Sequence, residues 1–426
     1  MPDRLIFHVD VNSAFLSWEA ARRVKLGEAD LRLIPSAVGG DPEKRTGVIL
    51  AKSLPAKRRG VVTGEPISSA RRKCPELVLA RPDFRLYETN SHAFMNICRR
   101  YAPVVEKFSI DECFLDMTGT NLIYPDPIRT AHEIKDRIKS ELGFTVNIGI
   151  GPNKLLAKTA SDFEKPDRVH TLFYPELAQK LHPLPIDELY SVGESTAAKL
   201  RAHGIDTIGR LAACPVEYVV SIIGDKFGRL LHNYANGIDD EPVTSEVSEA
   251  KGYNISTTLA EDVVDIETAN RILLALSDSI SARMRADSFK AGCVTVSIRT
   301  SSFKNRSHQR RLSNATDITS EIYELAKQLF GELWDGHTPL RLIGLSLTGL
   351  TRGEAEQLSF FPDEVGDERR ERSRLIDKTV DEIRGIYGSE TIIRAAAYGF
   401  SRDIGKKYKA RSDLNNNTDP KHGEQV

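Results

Sequence analysis

The sequence has no run of about 18 or more apolar residues, so it offers no ordinary membrane-spanning helix. Its five cysteines, Cys74, Cys98, Cys113, Cys214 and Cys293, are scattered and include no C-x-x-C pair. That excludes a zinc ribbon or dithiol motif and fits reduced thiols in a cytosol. The opening Met1-Pro2-Asp3-Arg4 lacks the charged-then-apolar layout of a signal peptide, so a cytoplasmic protein with no membrane partner is expected. No internal repeat is visible. A formal net charge of −1 excludes a strong global field, so any polyanion would have to meet local patches.

Two such patches are present. Lys44 to Lys73 holds nine Lys/Arg against one acid, Glu65, and Ser281 to Leu312 holds eight against Asp287. Each suits a phosphate backbone, and each is also what an ordinary solvated basic face looks like. With 40% hydrophobic and 28% charged residues the chain is globular, and 426 residues imply two to four domains.

Leu5–Val9 is an apolar run ending in Asp10 and reads as a buried strand. Ser13–Lys25 has helical spacing. Val104–Ile110 and Cys113–Met117 read as strands around a tight Asp111-Glu112 hairpin. Pro127–Leu142 reads as an amphipathic helix, Thr145–Ile150 as a strand, and Asn153–Phe163 as a helix. Strand, helix, two strands, helix, strand is the order of a ferredoxin-like α+β layer, interrupted by an insertion over about 31–76. Beyond Pro166 the pattern turns helical, with a helix expected over Leu184–Leu200 and a turn at Gly204–Gly209. Asn236–Glu249 reads as a linker. A further β/α unit follows, with strands at Val294–Arg299 and Leu342–Leu347 and helices at Thr268–Arg285 and Thr316–Trp334. The tail has one helical stretch, Arg369–Tyr387, and reads as disordered from about Lys406.

Three acids sit where core strands end: Asp10, Asp111 and Glu112. Carboxylates beside an apolar sheet are unfavourable unless solvated or paired with a cation. Hard oxygen donors of this kind suit Mg²⁺, and two such ions about 3.5–4 Å apart serve phosphoryl transfer. On spacing alone, a polar hairpin tip without metal remains an open alternative.

Phe7-His8-Val9-Asp10-Val11-Asn12-Ser13-Ala14-Phe15 and Ser109-Ile110-Asp111-Glu112-Cys113-Phe114-Leu115-Asp116 resemble, in order and about 100 residues apart, the two signature motifs of the Y-family DNA polymerases, the DinB-like and UmuC-like translesion enzymes. The resemblance runs from about residue 4 to 361. It implies an α+β multidomain fold: a ferredoxin-like palm (1–30 and 77–168), small fingers (31–76), a helical thumb with a helix-hairpin-helix (169–236), a linker (237–250), an α/β little finger (251–350) and a tail (351–426). It implies low-fidelity, template-directed addition of deoxynucleotides to a primer end by a two-Mg²⁺ mechanism. Asp10 and Asp111 would bridge the ions, and Glu112 would hold the one serving the primer 3′-hydroxyl. Phe15 falls at the steric gate that excludes a 2′-hydroxyl, although by itself it reads as a core aromatic. Lys165 matches a lysine that contacts the incoming triphosphate.

Departures from the family pattern are as informative. The second Asp expected two residues after the first is Asn12, which is therefore left out of the ligand set. The usual Tyr-Glu-Ala-Arg of the fingers reads Leu54-Pro55-Ala56-Lys57, so Lys57, with Arg58 or Arg59 in support, is expected at the triphosphate. Lysine supplies a point charge and not a bidentate fork. Leu189–Ala197 resembles the thumb's helix-hairpin-helix, with Ser191 in place of its first glycine. Arg283, Arg285, Lys290, Arg299, Lys304 and Arg306 fall in the little-finger region, where they would track DNA backbones. Gln357-Leu358-Ser359-Phe360-Phe361 (357–361) resembles the bacterial sliding-clamp-binding peptide through Gln357, Leu358, Phe360 and Phe361. A bacterial, nucleoid-associated monomer is the corresponding expectation, with primer-template DNA, deoxynucleoside triphosphates and the clamp as partners. The alternative is a non-catalytic scaffold binding clamp and DNA, which would be expected to lose the metal carboxylates. A nuclease with the same metals would lack the thumb and little finger.

Overall fold

The computed structural model describes residues 4–40, 47–246, 249–352 and 364–400, the side chains of the last segment from 368 onward. The clamp-like peptide and the stretch beyond residue 400 lie outside the described residues. Two compact units are present, one of residues 1–40 with 48–247 and one containing 248–426.

In the first unit, β1 (Ile6–Val11) leads into α1 (Ala14–Lys25). A small three-stranded sheet follows, made of β2 (Ser36–Gly39), β3 (Ile49–Lys52) and β4 (Val78–Ala80), and carrying α2 (Leu54–Arg58) and α3 (Ile67–Lys73). Then come α4 (Phe84–Cys98), β5 (Val104–Lys107), β6 (Glu112–Asp116), α5 (Pro127–Leu142), β7 (Val146–Gly151), α6 (Lys154–Asp162) and β8 (Val169–Thr171). The main sheet runs β5-β6-β1-β7-β8. Its first four strands have the 4-1-3-2 order of a ferredoxin-like layer, which the βαββαβ succession specifies.

Every residue of β1 and of β7 is buried, because helices cover both faces of the sheet. Alternation sends Phe7, Val9 and Val11 into the large core shared with α1, α4 and α5. Ile6 packs on the opposite face with Phe114 and Ala157 of α6, and His8 and Asp10 share its side of the strand. Gly149 permits the close approach of α6, since a Cβ there would lie 1.9 Å from the Ala157 carbonyl oxygen.

The hairpin differs in detail from the sequence reading. Strand β5 stops at Lys107, and the amides of Phe108 and Ser109 both donate to the Glu112 carbonyl at 3.1 Å. Phe108–Asp111 is therefore the turn, and Glu112 already belongs to β6, opposite Asp10 in register.

Helices α7 (Leu177–Lys180), α8 (Glu194–Ala202), α9 (Ile208–Ala213), α10 (Val216–Ile223) and α11 (Asp225–Ala235) share a separate core that includes Ile186, Leu189, Leu200, Ile208 and Leu231. The continuous helix expected over Leu184–Leu200 does not form. Ser191 adopts a left-handed backbone (φ 71°), and α8 restarts from Gly193. The stretch read as a linker is bound to the main sheet's unit through residue 246. Asn153 donates to the Gly237 carbonyl, and the Asp239 carboxylate accepts from the amide of Leu155. Glu106 accepts from the amide of Thr244, and Val243 is buried. Polar side-chain partners make these attachments, which hydrophobic periodicity does not register.

The second unit is an antiparallel sheet of β9 (Gly252–Val263), β10 (Lys290–Thr300), β11 (Asn305–Thr316) and β12 (Leu340–Thr351), in the order β11-β10-β12-β9. Helices α12 (Ile266–Ala286) and α13 (Thr319–Leu333) bury one face through Leu276, Ile280, Leu329 and Phe330. The helix of the tail, α14 (Glu364–Tyr387), belongs to this unit. Arg285 pairs with Asp381 at 2.6 Å and Asp377 at 3.4 Å, Arg384 with Asp278 at 2.7 Å, and Arg394 with both Asp278 and Asp377. Arg285 is thus a half-buried cation engaged within its own unit, where the sequence reading expected a DNA contact.

Candidate active site

A cleft of about 370 Å³ opens at the end of β1. Its floor is Asp10, Asn12, Ser13, Phe15 and Asp111, and its other walls include Lys52, Leu54, Lys57, Thr63 and Lys165. The Val11 amide donates to the Asp111 carbonyl at 3.0 Å, which holds the hairpin turn against β1. Ser109 donates to the Asp111 carboxylate at 2.7 Å. Asp10 and Glu112 are register partners on adjacent strands, so their side chains share a face.

The two are held differently. Asp10 is buried, and burial, helped by the charge of Glu112, pushes its carboxyl up to about 6 against the pull of Lys165. Lys165 pairs with Asp10 and, at 2.7 Å, with Asp162. Burial works against the lysine's charge, but these carboxylates outweigh it and raise its pKa. Glu112 is turned to Lys158 at 2.7 Å. Among the described residues no three His, Cys, Asp or Glu side chains converge as a closed ligand set. Asp10 and Asp111 line the cleft, and Glu112 is engaged beside it.

The donor set fits a hard divalent cation. All candidate donors are carboxylate oxygens. A buried acid raised to about 6 beside a second carboxylate is a place where added positive charge stabilises the ionised form. An open set of this kind leaves room for water and substrate phosphates, as Mg²⁺ requires.

Phe15 is half-buried, stacked on Tyr87 with ring centroids 4.5 Å apart and planes 9° from parallel. The Tyr87 hydroxyl donates to Glu19 at 3.1 Å, and Glu19 is held by Arg22 at 2.8 Å. The ring at the gate position therefore rests on a second ring anchored from its own helix. Sequence reasoning missed Tyr87 and Glu19, since nothing local links positions 15 and 87.

It also missed Lys52 and Thr63. The Lys52 ammonium donates to Thr63 at 2.9 Å, and its pKa is lowered by burial and by the nearby charge of Lys57. Two ammonium groups, Lys52 and Lys57, thus lie on the lining of the cleft that holds Asp10 and Asp111. Arg58 does not line this wall, and Arg59 is drawn to Glu76 at 3.2 Å. In a short helix only one of three successive residues faces the cleft, and here it is Lys57.

Comparisons with known proteins bear on the family. Residues 9–162 match the impB/mucB/samB family, residues 250–360 match that family's C-terminal domain, and residues 187–239 match a DNA polymerase-iota thumb domain. A DNA polymerase IV of Clostridium acetobutylicum is 45% identical over 396 residues, covering 92% of this chain and 98% of the relative. A DNA polymerase IV of Alkaliphilus oremlandii is 38% identical over 401 residues, covering 92% of this chain and 98% of its own. Among solved structures, a Y-family DNA polymerase chimera superposes with a TM-score of 0.70 at 22% identity, over 82% of this chain and all of the other. Identity at that level over nearly the full length of both chains means that this protein belongs to the Y-family DNA polymerases, on the DinB-like bacterial branch.

Proposed function

We propose that this translesion DNA polymerase extends a primer 3′ end in the cleft floored by Asp10 and Asp111, with Mg²⁺ held by Asp10, Asp111 and Glu112. The observation that carries the reading is the facing of two carboxylates and Phe15 against Lys52, Lys57 and Lys165 in one cleft. Two Mg²⁺ ions, when bound, supply Lewis-acid activation of the 3′-hydroxyl and neutralise charge on the transferring phosphate. The chain's own groups do the rest. Lys52 and Lys57 hold the triphosphate by charge, and Lys165 offsets charge that develops on its oxygens. Phe15, braced by Tyr87, lies where a ribose 2′-hydroxyl would need to fit. Lys158 holds Glu112 beside the cleft, where its carboxylate would serve a bound cation.

Amides at the start of α8 bind a phosphate of the duplex. The open face of the second sheet follows the DNA backbones without reading bases. Primer extension with Mg²⁺ and single deoxynucleotides tests the assignment. Asp111→Ala is expected to lose nucleotide addition by several orders of magnitude while DNA affinity stays within about two-fold, since it serves ions and not phosphates. Ordinary turnover in that variant would refute the site. A wild type that binds DNA and clamp but adds no nucleotide would favour the scaffold.

Gln357, Leu358, Phe360 and Phe361 are proposed to dock on the bacterial sliding clamp. Leu358→Ala with Phe360→Ala should abolish clamp stimulation and leave basal synthesis intact, and equal stimulation in both proteins would remove the motif. The expected setting is a monomer on nucleoid DNA. Among the described residues no helix is long and apolar enough to cross a membrane.

A further inference from the structure

Asn12 departs from the family's acidic residue, and the structure gives it a different occupation. It is buried, and both ends of its amide are used. Its Oδ1 accepts from the Asp167 amide at 2.9 Å, and its Nδ2 donates to Asn147 Oδ1 at 3.1 Å. Asn147, fully buried on β7, is used just as completely. Its Nδ2 donates to the carbonyls of Ser161 at 3.0 Å and Glu164 at 2.8 Å, and its Oδ1 also accepts from the Arg168 amide at 3.2 Å. The four backbone groups reached by the pair flank Lys165 on both sides. The turn they hold includes Asp167 in a left-handed conformation (φ 63°), whose carboxylate is gripped by Lys135 and Lys139, each at 2.8 Å.

We propose that Asn12 and Asn147 are positioning residues whose interlocked amides hold the Glu164–Asp167 turn and thereby set Lys165 against Asp10 and the nucleotide cleft. The proposal rests on the reading of Lys165 as a triphosphate contact. It assigns Asn12 to the loop and not to the metal. The donor count makes the pair specific. An aspartate at 12 keeps an acceptor for the Asp167 amide but has no hydrogen for Asn147 Oδ1, so two acceptors face each other. Asn147 cannot turn its amide over to help, because both of its hydrogens are engaged by Ser161 and Glu164. A buried pair left in that state loosens the turn.

Asn12→Asp is therefore expected to raise the apparent nucleotide Kd in single-turnover incorporation roughly ten-fold, about 1.4 kcal/mol. DNA affinity should be unchanged, and the Mg²⁺ concentration for half-maximal rate should not fall. In a Lys165→Ala background the same substitution should add less than about two-fold, because the effect passes through Lys165. Asn147→Asp, which keeps its acceptor for Asn12 but loses both donated bonds, should show the same coupling and serves if the first variant folds poorly. In the metal-free chain, hydrogen exchange over residues 164–168 should quicken in both variants, with α5 unchanged. A lower Mg²⁺ requirement or tighter nucleotide binding in Asn12→Asp would overturn the proposal and make Asn12 a metal-facing position. So would a full ten-fold loss persisting without Lys165, or unchanged exchange. Failure of the polymerase reading is distinguishable, since wild type would then incorporate nothing while the exchange result still stands.

Discussion

Strand β1 lies in the middle of its sheet with all six residues buried, whereas β11 lies at the edge of its sheet with its first seven residues exposed. Both carry charge. On β1 the charge is one carboxylate, Asp10, whose neighbours on every side are specified by packing. On β11 it is Arg306, Arg310 and Arg311, with solvent around them. Register divides these further. Arg306 and Arg310 pair opposite Ile298 and Val294, on the helix side, where Arg310 reaches Glu332 at 2.7 Å. Arg311 and Arg299 lie on the open side, among small residues such as Ser256, Ser297 and Gly344. A buried central strand sets a few atoms at fixed distances, as bond-making needs. An edge with an open face offers diffuse charge over a length, as a regular polyanion needs.

The contrast can be broken from either side. The largest effect belongs to the buried side. Phe15→Ala should raise the ratio of ribo- to deoxyribonucleotide incorporation by orders of magnitude, with DNA binding unaltered. An unchanged ratio in single-nucleotide extension would move the gate elsewhere. On the open side, Arg299→Ala with Arg311→Ala should weaken DNA binding and flatten the plot of log K against log salt by about one unit per residue, with little change in the rate of the bound complex. A lost chemical step with an unchanged salt slope would erase the distinction. The smallest effect lies between them. Leu54→Tyr with Lys57→Arg should lower the nucleotide Kd roughly ten-fold, because a charged hydrogen bond contributes about 1.5–3 kcal/mol. If it does not, and Lys52→Ala instead weakens binding, the wall formed by Lys52 and Thr63 carries the triphosphate by itself.

Legibility followed the same division. The run Leu5–Val9, apolar but for His8 and ending in Asp10, announces a buried strand, and the Ser109–Asp116 motif announces its partner. β11 went unread because Asn305–Thr316 has no apolar alternation: its burial is low on both faces, so hydrophobic spacing carries no signal there. The helix read over Leu184–Leu200 is broken at Ser191, which takes a positive φ at the position where the hairpin motif carries its first glycine. In the cleft, Asp10, Asp111 and Phe15 were visible as motif residues. Tyr87, Lys52 and Asn147 were not, because their contacts cross 68, 11 and 135 residues of chain and arise only on folding.

The ion network around α14 bears on how this chain tolerates shortening. A frameshift or protease cut just after the clamp-like peptide would spare every residue lining the cleft and still remove the acids paired with half-buried Arg285 and the arginines paired with buried Asp278. Orphaning a buried ion pair destabilises a domain by about 3–5 kcal/mol, a large share of what holds one folded. Copies shortened before residue 377 are therefore expected to unfold at a lower temperature than the full chain, although every residue that lines the cleft is present.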